Sequence, residues 1–137
     1  MSDRAIDVFF YGLFMDEDLL RGRGIVPLNP RPAMVEGFGL RIGQRATLVP
    51  AAGERSYGMI MRLTHLELQG LYAGPGLEQY RPEAVSCTTL AEEMVCALCY
   101  NLPNTPASDE ANEEYSGQLR TVLKKLGFPP AYVERII

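Results

Sequence analysis

The chain has 137 residues, of which 47% are hydrophobic, and this supplies enough apolar side chain for one core. We therefore expect residues 1–137 to form a single domain. The formal net charge of -4 argues against a nucleic-acid partner, because affinity for phosphates comes from clustered Lys and Arg. No apolar run reaches the ~18 residues of a membrane span and no signal peptide is visible, so we expect a cytoplasmic protein without a membrane partner.

The three cysteines predict neither a disulfide framework nor a metal site. An odd number in a chain of this length suits a reducing compartment. Cys96 and Cys99 have the spacing of a CxxC pair, but residues three apart in a strand face opposite sides and cannot chelate one ion. His65 is the only histidine and is interpreted as a surface residue. We therefore expect no metal and no cofactor.

The N-terminal region predicts a strand, a glycine turn and a short helix. Residues 6–11 form an apolar and aromatic run of strand length, which stops at Gly12. The acids at residues 16–18 are typical of a helix's first turn, because they offset the positive end of the peptide dipoles. Residues 22–32, rich in Gly and Pro, predict an irregular connection.

The middle of the chain predicts short, bent strands followed by a helix. Three extended pieces, separated by glycines and a proline, are typical of a small barrel: residues 33–38, 40–42 and 46–49. The alternation in residues 57–63 predicts a strand buried mainly on one side. Thr64 and Glu67 then fit a capping box, which predicts a helix over residues 65–72.

A β-hairpin is predicted next. Residues 84–90 and 93–100 alternate as strands around a two-residue turn at residues 91–92. This register would place Cys87 opposite Cys96.

The C-terminal region predicts one long helix. Ser108 or Asp109 is the expected N-cap, and Gly127 the stop. Apolar residues recur at the spacing of one helix face: Tyr115, Leu119, Val122, Leu123 and Leu126. A final helical turn is predicted for residues 132–137.

Five segments carry a resemblance to a known family. They read YGLFM at residues 11–15, VEGF at 35–38, RATLVP at 45–50, YG at 57–58 and GFPPAY at 127–132. In order and spacing they resemble the γ-glutamylcyclotransferase-like family, which includes the AIG2-like proteins. Together they cover nearly the whole chain.

The resemblance implies an α+β fold, a small, mostly antiparallel β-barrel with flanking helices. Family members bind a γ-glutamyl group at the opening loop, and the family's enzymes let the substrate's α-amine attack its γ-carbonyl. The reaction releases an amine or amino acid and leaves 5-oxoproline, with one glutamate moving the proton. We therefore expect a γ-glutamyl compound as the partner.

The substrate-binding residues implied for this chain lie in the opening loop and in the segment 74–80. They are Tyr11, Gly12, Leu13, Phe14, Met15 and Tyr80. Backbone amides of the loop would form a cradle for a carboxylate or an oxyanion. We expect the largest cavity at this loop, with residues 74–80 on its rim.

The chain departs from the family at the catalytic glutamate. The family pattern resembles Leu-Asp-x-x-Glu-Gly, whereas residues 71–76 read LYAGPG, so Ala73 or Pro75 occupies the catalytic position. Glu78 is the nearest acid that could act instead, and Glu83 is the next.

Two functional hypotheses follow. In one, the chain is a γ-glutamyl cyclotransferase with Glu78 or Glu83 as its acid and base. In the other, it is a small-molecule binding or sensor module that has lost the chemistry.

A second departure from the family pattern concerns binding, since Leu13 stands where many members carry a hydroxyl. The oligomeric state stays open.

Overall fold

The computed structural model describes residues 4–107 and 109–136, and the predicted cap residue Ser108 lies outside them. Within these residues five strands close into a barrel in the order β1-β3-β2-β4-β5. The strands are β1 Ala5–Phe10, β2 Leu28–Ile42, β3 Ala46–Thr64, β4 Arg81–Thr89 and β5 Met94–Asn101. The helices beside them are α1 Glu17–Arg21, α2 His65–Leu71, α3 Glu113–Lys125 and α4 Pro130–Glu134. The predicted fold, a small, mostly antiparallel barrel with flanking helices, is confirmed.

Strand β1 closes the barrel. It pairs antiparallel with β3, with Ala5 opposite Thr64, and parallel with β5, with Val8 opposite Leu98. The other strand pairs are antiparallel. Because β1 ends inside this closed sheet, the loop that follows Phe10 starts at one rim of the barrel.

Two long strands replace the short ones predicted for the middle of the chain. β2 and β3 form one hairpin, and its register shifts between Glu36 and Phe38, where Gly37 has a φ of +81°. Such a bulge bends a strand without ending it, so the glycines do not mark strand ends. The connection predicted for residues 22–32 also ends early, because β2 begins at Leu28.

Apolar side chains form two clusters on opposite faces of the sheet. One fills the barrel with residues from every strand: Phe9, Tyr11, Ala33, Val35, Ala46, Leu48, Ile60, Val85, Cys87, Ala97 and Cys99. The other joins the outer face to the helices and includes Met59, Met61 and Leu119. The prediction that residues 57–63 are buried mainly on one side is therefore wrong, since Ile60 is buried on the barrel side.

The helix starts follow local hydrogen bonds. The capping box of α2 is confirmed, because the Thr64 hydroxyl accepts from the Glu67 amide at 3.1 Å and the Glu67 carboxylate accepts from the Thr64 amide at 2.8 Å. The prediction of Asp109 as the cap of α3 is wrong. Asn112 caps this helix, since its side-chain oxygen accepts from the Tyr115 amide at 3.1 Å.

Among the described residues, no helix is long and apolar enough to cross a membrane.

The β4–β5 hairpin is shifted by one residue from its predicted register. Its loop has three residues, closed by Glu92, whose φ is +66°. A residue in this left-handed conformation after a turn is the usual geometry of three-residue loops. Cys87 therefore lies opposite Val95 and not opposite Cys96, and Cys96 is exposed while Cys87 is buried.

Candidate functional site at the barrel rim

The loop after β1 folds into a short 3-10 turn. Its residues Leu13–Met15 follow Gly12, whose carbonyl accepts from the Met15 amide at 3.1 Å. Asp16 then caps α1 by accepting from the Asp18 amide at 3.1 Å. Strand, turn and helix thus follow as predicted, and the turn holds the loop backbone at the barrel rim.

A cavity of about 370 Å³ opens beside this turn. Its lining comes from the loop, α1, the β2–β3 turn, the segment after α2, β5 and α3: Phe9, Phe10, Tyr11, Gly12, Leu13, Phe14, Leu19, Arg23, Gln44, Arg45, Ala46, Tyr72, Leu77, Tyr80, Tyr100 and Tyr115. The predicted binding residues at positions 11–14 and Tyr80 are brought together here. Leu77 and Tyr80 place the predicted rim segment at this cavity.

Three predicted features are not found at the cavity. Met15 is fully buried beneath it and its amide is used within the turn, so Met15 offers no contact to a ligand. Glu78 is exposed and lies outside the lining, so it lacks the burial that a general base needs. Glu83 is also outside the lining, where its carboxylate accepts from the Asn101 side chain at 2.9 Å.

A larger cavity lies elsewhere, so the prediction that the largest cavity lies at this loop is wrong. A groove of about 950 Å³ runs between the β2–β3 hairpin, the segment before α3, and the helices α3 and α4. Arg41 and Glu54 pair across its wall at 2.9 Å. The cavity at the predicted loop is smaller and less polar.

Tyrosine side chains dominate the cavity wall. The Tyr11 hydroxyl donates to the Tyr100 carbonyl at 2.8 Å, and the Tyr80 hydroxyl donates to the Ala46 carbonyl at 2.5 Å. The rings of Tyr72 and Tyr100 stack with their centroids 4.1 Å apart. Because two hydroxyls already have backbone partners, the wall offers a ligand mainly ring surface.

Burial keeps these phenols neutral. It raises the pKa of Tyr80 to about 12, although the nearby Arg45 guanidinium opposes the shift. Burial also raises the pKa of Tyr11 and of Tyr72 well above the ordinary value. A tyrosine with a raised pKa donates hydrogen bonds but does not take protons near neutrality, so these side chains do not supply a base.

Tyr115 covers the glycine of the loop. A Cβ on Gly12 would lie 2.5 Å from the Tyr115 hydroxyl oxygen, so only glycine leaves room for this contact. Burial raises the pKa of Tyr115, and a hydrogen bond from the Leu13 backbone opposes the shift. Tyr115 therefore belongs to the site, although its helical spacing predicted only a core residue.

The charges at the cavity are positive. Arg23 and Arg45 are its charged lining residues, and within the described part of the chain no Asp, Glu or His lines it. The Arg23 guanidinium lies 5.3 Å from the Phe14 ring centroid. No group of three potential metal ligands occurs in residues 4–107 and 109–136. The arrangement can hold an anion or a neutral polar group, and its described lining residues include no carboxylate.

Solved structures share this architecture. A structure described as a gamma-glutamyl cyclotransferase superposes with a TM-score of 0.80 at 18% identity, covering 97% of this chain and 86% of the other. YkqA from Bacillus subtilis superposes with a TM-score of 0.77 at 22% identity, covering 96% of this chain and 52% of the other. An AIG2-like protein from Mus musculus superposes with a TM-score of 0.58 at 16% identity, covering 81% of this chain and 90% of the other.

By sequence, no protein-family model and no curated protein matches the chain. At these low identities the structural likeness establishes the fold. The chain has the γ-glutamylcyclotransferase-like fold, also found in AIG2-like proteins, as the motifs predicted.

Proposed function

We propose that this chain binds a γ-glutamyl compound in the cavity beside the Leu13–Met15 turn and does not cyclise it. Two observations support γ-glutamyl binding: the likeness in fold to a gamma-glutamyl cyclotransferase, and the cavity at the loop that carries the sequence resemblance. We favour binding over catalysis because the described lining contains no Asp, Glu or His.

Cyclisation requires a proton acceptor at a defined place. The substrate's α-ammonium must lose a proton before its nitrogen attacks the γ-carbonyl, and the leaving amine must gain one. Arginine stays protonated, and the tyrosines of the wall have raised pKa values. Without an acceptor, orientation alone supplies only part of the rate enhancement.

Binding does not need that acceptor. The turn after Gly12 presents backbone at the cavity, Arg45 offers a guanidinium for a carboxylate, and the aromatic wall can cover the ligand's methylene groups. These contacts favour a small ligand with one apolar stretch and one acidic end.

Thermal unfolding in the presence of γ-glutamylethylamide tests the proposal. We expect millimolar ligand to raise the melting temperature, because a ligand that binds only the folded state stabilises it by mass action. Leu13→Trp, which fills the cavity, should abolish the increase. The matched control is Leu90→Trp, since Leu90 is 53% exposed and lies outside the cavity lining.

An assay for 5-oxoproline on the same samples separates binding from catalysis. We expect no release above the rate without protein. Release that falls at least ~100-fold in Glu78→Gln or Glu83→Gln would identify that acid and establish the cyclotransferase instead. Release that survives both substitutions would place the base elsewhere. Neither stabilisation nor release across several γ-glutamyl compounds would refute both functions.

A further inference from the structure

Residues 71–76, which stand where the family carries its glutamate pattern, lie against an arginine, Arg45. Gly76 has a φ of +82°, and a Cβ at this residue would overlap the Arg45 guanidinium. The left-handed conformation favours glycine, and the absence of a side chain leaves room for the guanidinium. The turn continues with the Leu77 amide donating to the Gly74 carbonyl at 3.0 Å, so the backbone that receives the guanidinium is itself hydrogen-bonded.

Arg45 has no acidic partner within the described part of the chain. Among residues 4–107 and 109–136, the ion pairs are formed by other cations. Arg45 is half-buried and lines a mainly aromatic cavity. A guanidinium that is partly removed from water and lacks a counter-ion makes the site favourable for an anion.

The same cavity is unfavourable for an ammonium group. Ring faces attract cations, but Arg23 already lies over the Phe14 ring, and Arg45 adds a second positive charge. No carboxylate in the described lining offsets these charges. A free α-ammonium held inside would lose hydration without gaining an acidic partner, so a ligand that carries one should bind more weakly than the same ligand without it.

We propose that the cavity prefers small carboxylic acids without a free ammonium group over the same acids that carry one, with Arg45 pairing with the carboxylate. The inference rests on the proposed function and narrows its ligand class. Within γ-glutamyl chemistry, the preferred ligands are N-acylated γ-glutamyl amides and the ring-closed acid 5-oxoproline. Arg45 is then the residue that determines specificity.

Calorimetric titration with two matched pairs of ligands tests this. The first pair is γ-glutamylethylamide and its N-acetyl derivative, which differ in the ammonium group. The second pair is 5-oxoproline and its carboxamide, which differ in the carboxylate. We expect the N-acetyl compound and 5-oxoproline to bind at least ~10-fold tighter than their partners, as expected for a charge-assisted hydrogen bond.

Variants assign the effect to Arg45. Arg45→Gln should weaken 5-oxoproline binding at least ~10-fold and leave carboxamide binding unchanged, and Arg45→Lys should keep part of the preference because it keeps the charge. Arg21→Gln is the control, since it removes the same charge outside the lining. Circular dichroism checks that each variant is folded.

Two results would overturn the inference while the proposed function stands. One is binding of the free amine as tightly as its N-acetyl derivative, and the other is an unchanged preference in folded Arg45→Gln. If none of the four compounds binds, both this inference and the proposed γ-glutamyl binding are wrong.

Discussion

The contact between Tyr115 and Gly12 joins the last long helix to the first loop of the chain. The Tyr115 hydroxyl occupies the space that a side chain at position 12 would fill. Gly12 has a φ of -107°, which any residue adopts, so its requirement for glycine is steric and not conformational. This contact fixes the loop backbone that we propose faces the ligand.

Gly12→Ala should therefore destabilise the protein. The added methyl group would overlap the Tyr115 hydroxyl, and overpacking of this kind costs about 1 to 3 kcal/mol. Chemical denaturation measures the loss, and Tyr115→Phe in the same chain should restore part of it by removing the clashing oxygen.

Gly70→Ala is the matched control for this substitution. No atom lies within 4 Å of a Cβ at Gly70, which is in helix α2, so alanine should stabilise by about 0.5 to 1 kcal/mol. Equal effects of the two substitutions would show that Tyr115 does not restrict position 12.

For single residues, the sequence identified the loop at residues 11–15 as part of the site but not the distant residues that complete the cavity. The predicted residues Tyr11, Gly12 and Tyr80 lie at the cavity, and each belongs to a short segment that the sequence alone singled out, residues 11–15 or 74–80. Arg45 and Tyr115 come from distant parts of the chain, and nothing in their own segments marks them as cavity residues. Their role depends on the closure of the barrel, which one segment does not encode.

Among the elements, α2 is held at its start by the reciprocal capping box. Thr64→Ala removes the acceptor of the Glu67 amide and should cost about 1 kcal/mol of folding free energy. Thr64→Ser keeps the hydroxyl and serves as the control in the same urea titration. Equal losses in the two variants would mean that the lost methyl group, and not the cap, matters.

Helix α3 contributes the apolar face that covers the sheet. Leu119 is fully buried, so Leu119→Ala should cost about 2 to 5 kcal/mol through lost contacts and a cavity. Leu126 is only half-buried and should cost less when it is changed to alanine. A loss below ~0.5 kcal/mol for Leu119→Ala would show that this face is not part of the core.

Predictions for the elements succeeded where the determining contacts are local. The capping box spans four residues and was predicted correctly. The hairpin register failed because the three-residue loop depends on the left-handed conformation of Glu92, which a non-glycine residue seldom adopts. The long strand β3 was missed because Pro50 lies inside it, opposite Phe38, next to the bulge at Gly37.

The whole molecule buries many groups in their protonated form. Burial raises the pKa of Tyr80 to about 12 and the pKa of Cys87 to about 12, from ordinary values of 10.0 and 9.0. The unfolded chain releases these protons first as the pH rises, so the folded state holds more protons above pH ~9.

Stability should therefore be complete below pH ~9 and should fall as the pH rises toward ~12. Thermal melts followed by circular dichroism across this range measure the decline. Tyr80→Phe removes one titrating group and should make the decline shallower. A melting temperature that stays constant up to pH ~11 would contradict the burial of these groups as protonated forms.

Mass spectrometry of the ligand recovered from the protein tests the central claim, binding without cyclisation, most directly. The protein is dialysed to equilibrium against saturating γ-glutamylethylamide, and the compounds present in excess in the protein compartment are identified after the protein is denatured. We predict an excess of intact γ-glutamylethylamide in the protein compartment, and less of it after Leu13→Trp fills the cavity. An excess of 5-oxoproline and ethylamine, or no excess of any compound, would contradict the claim.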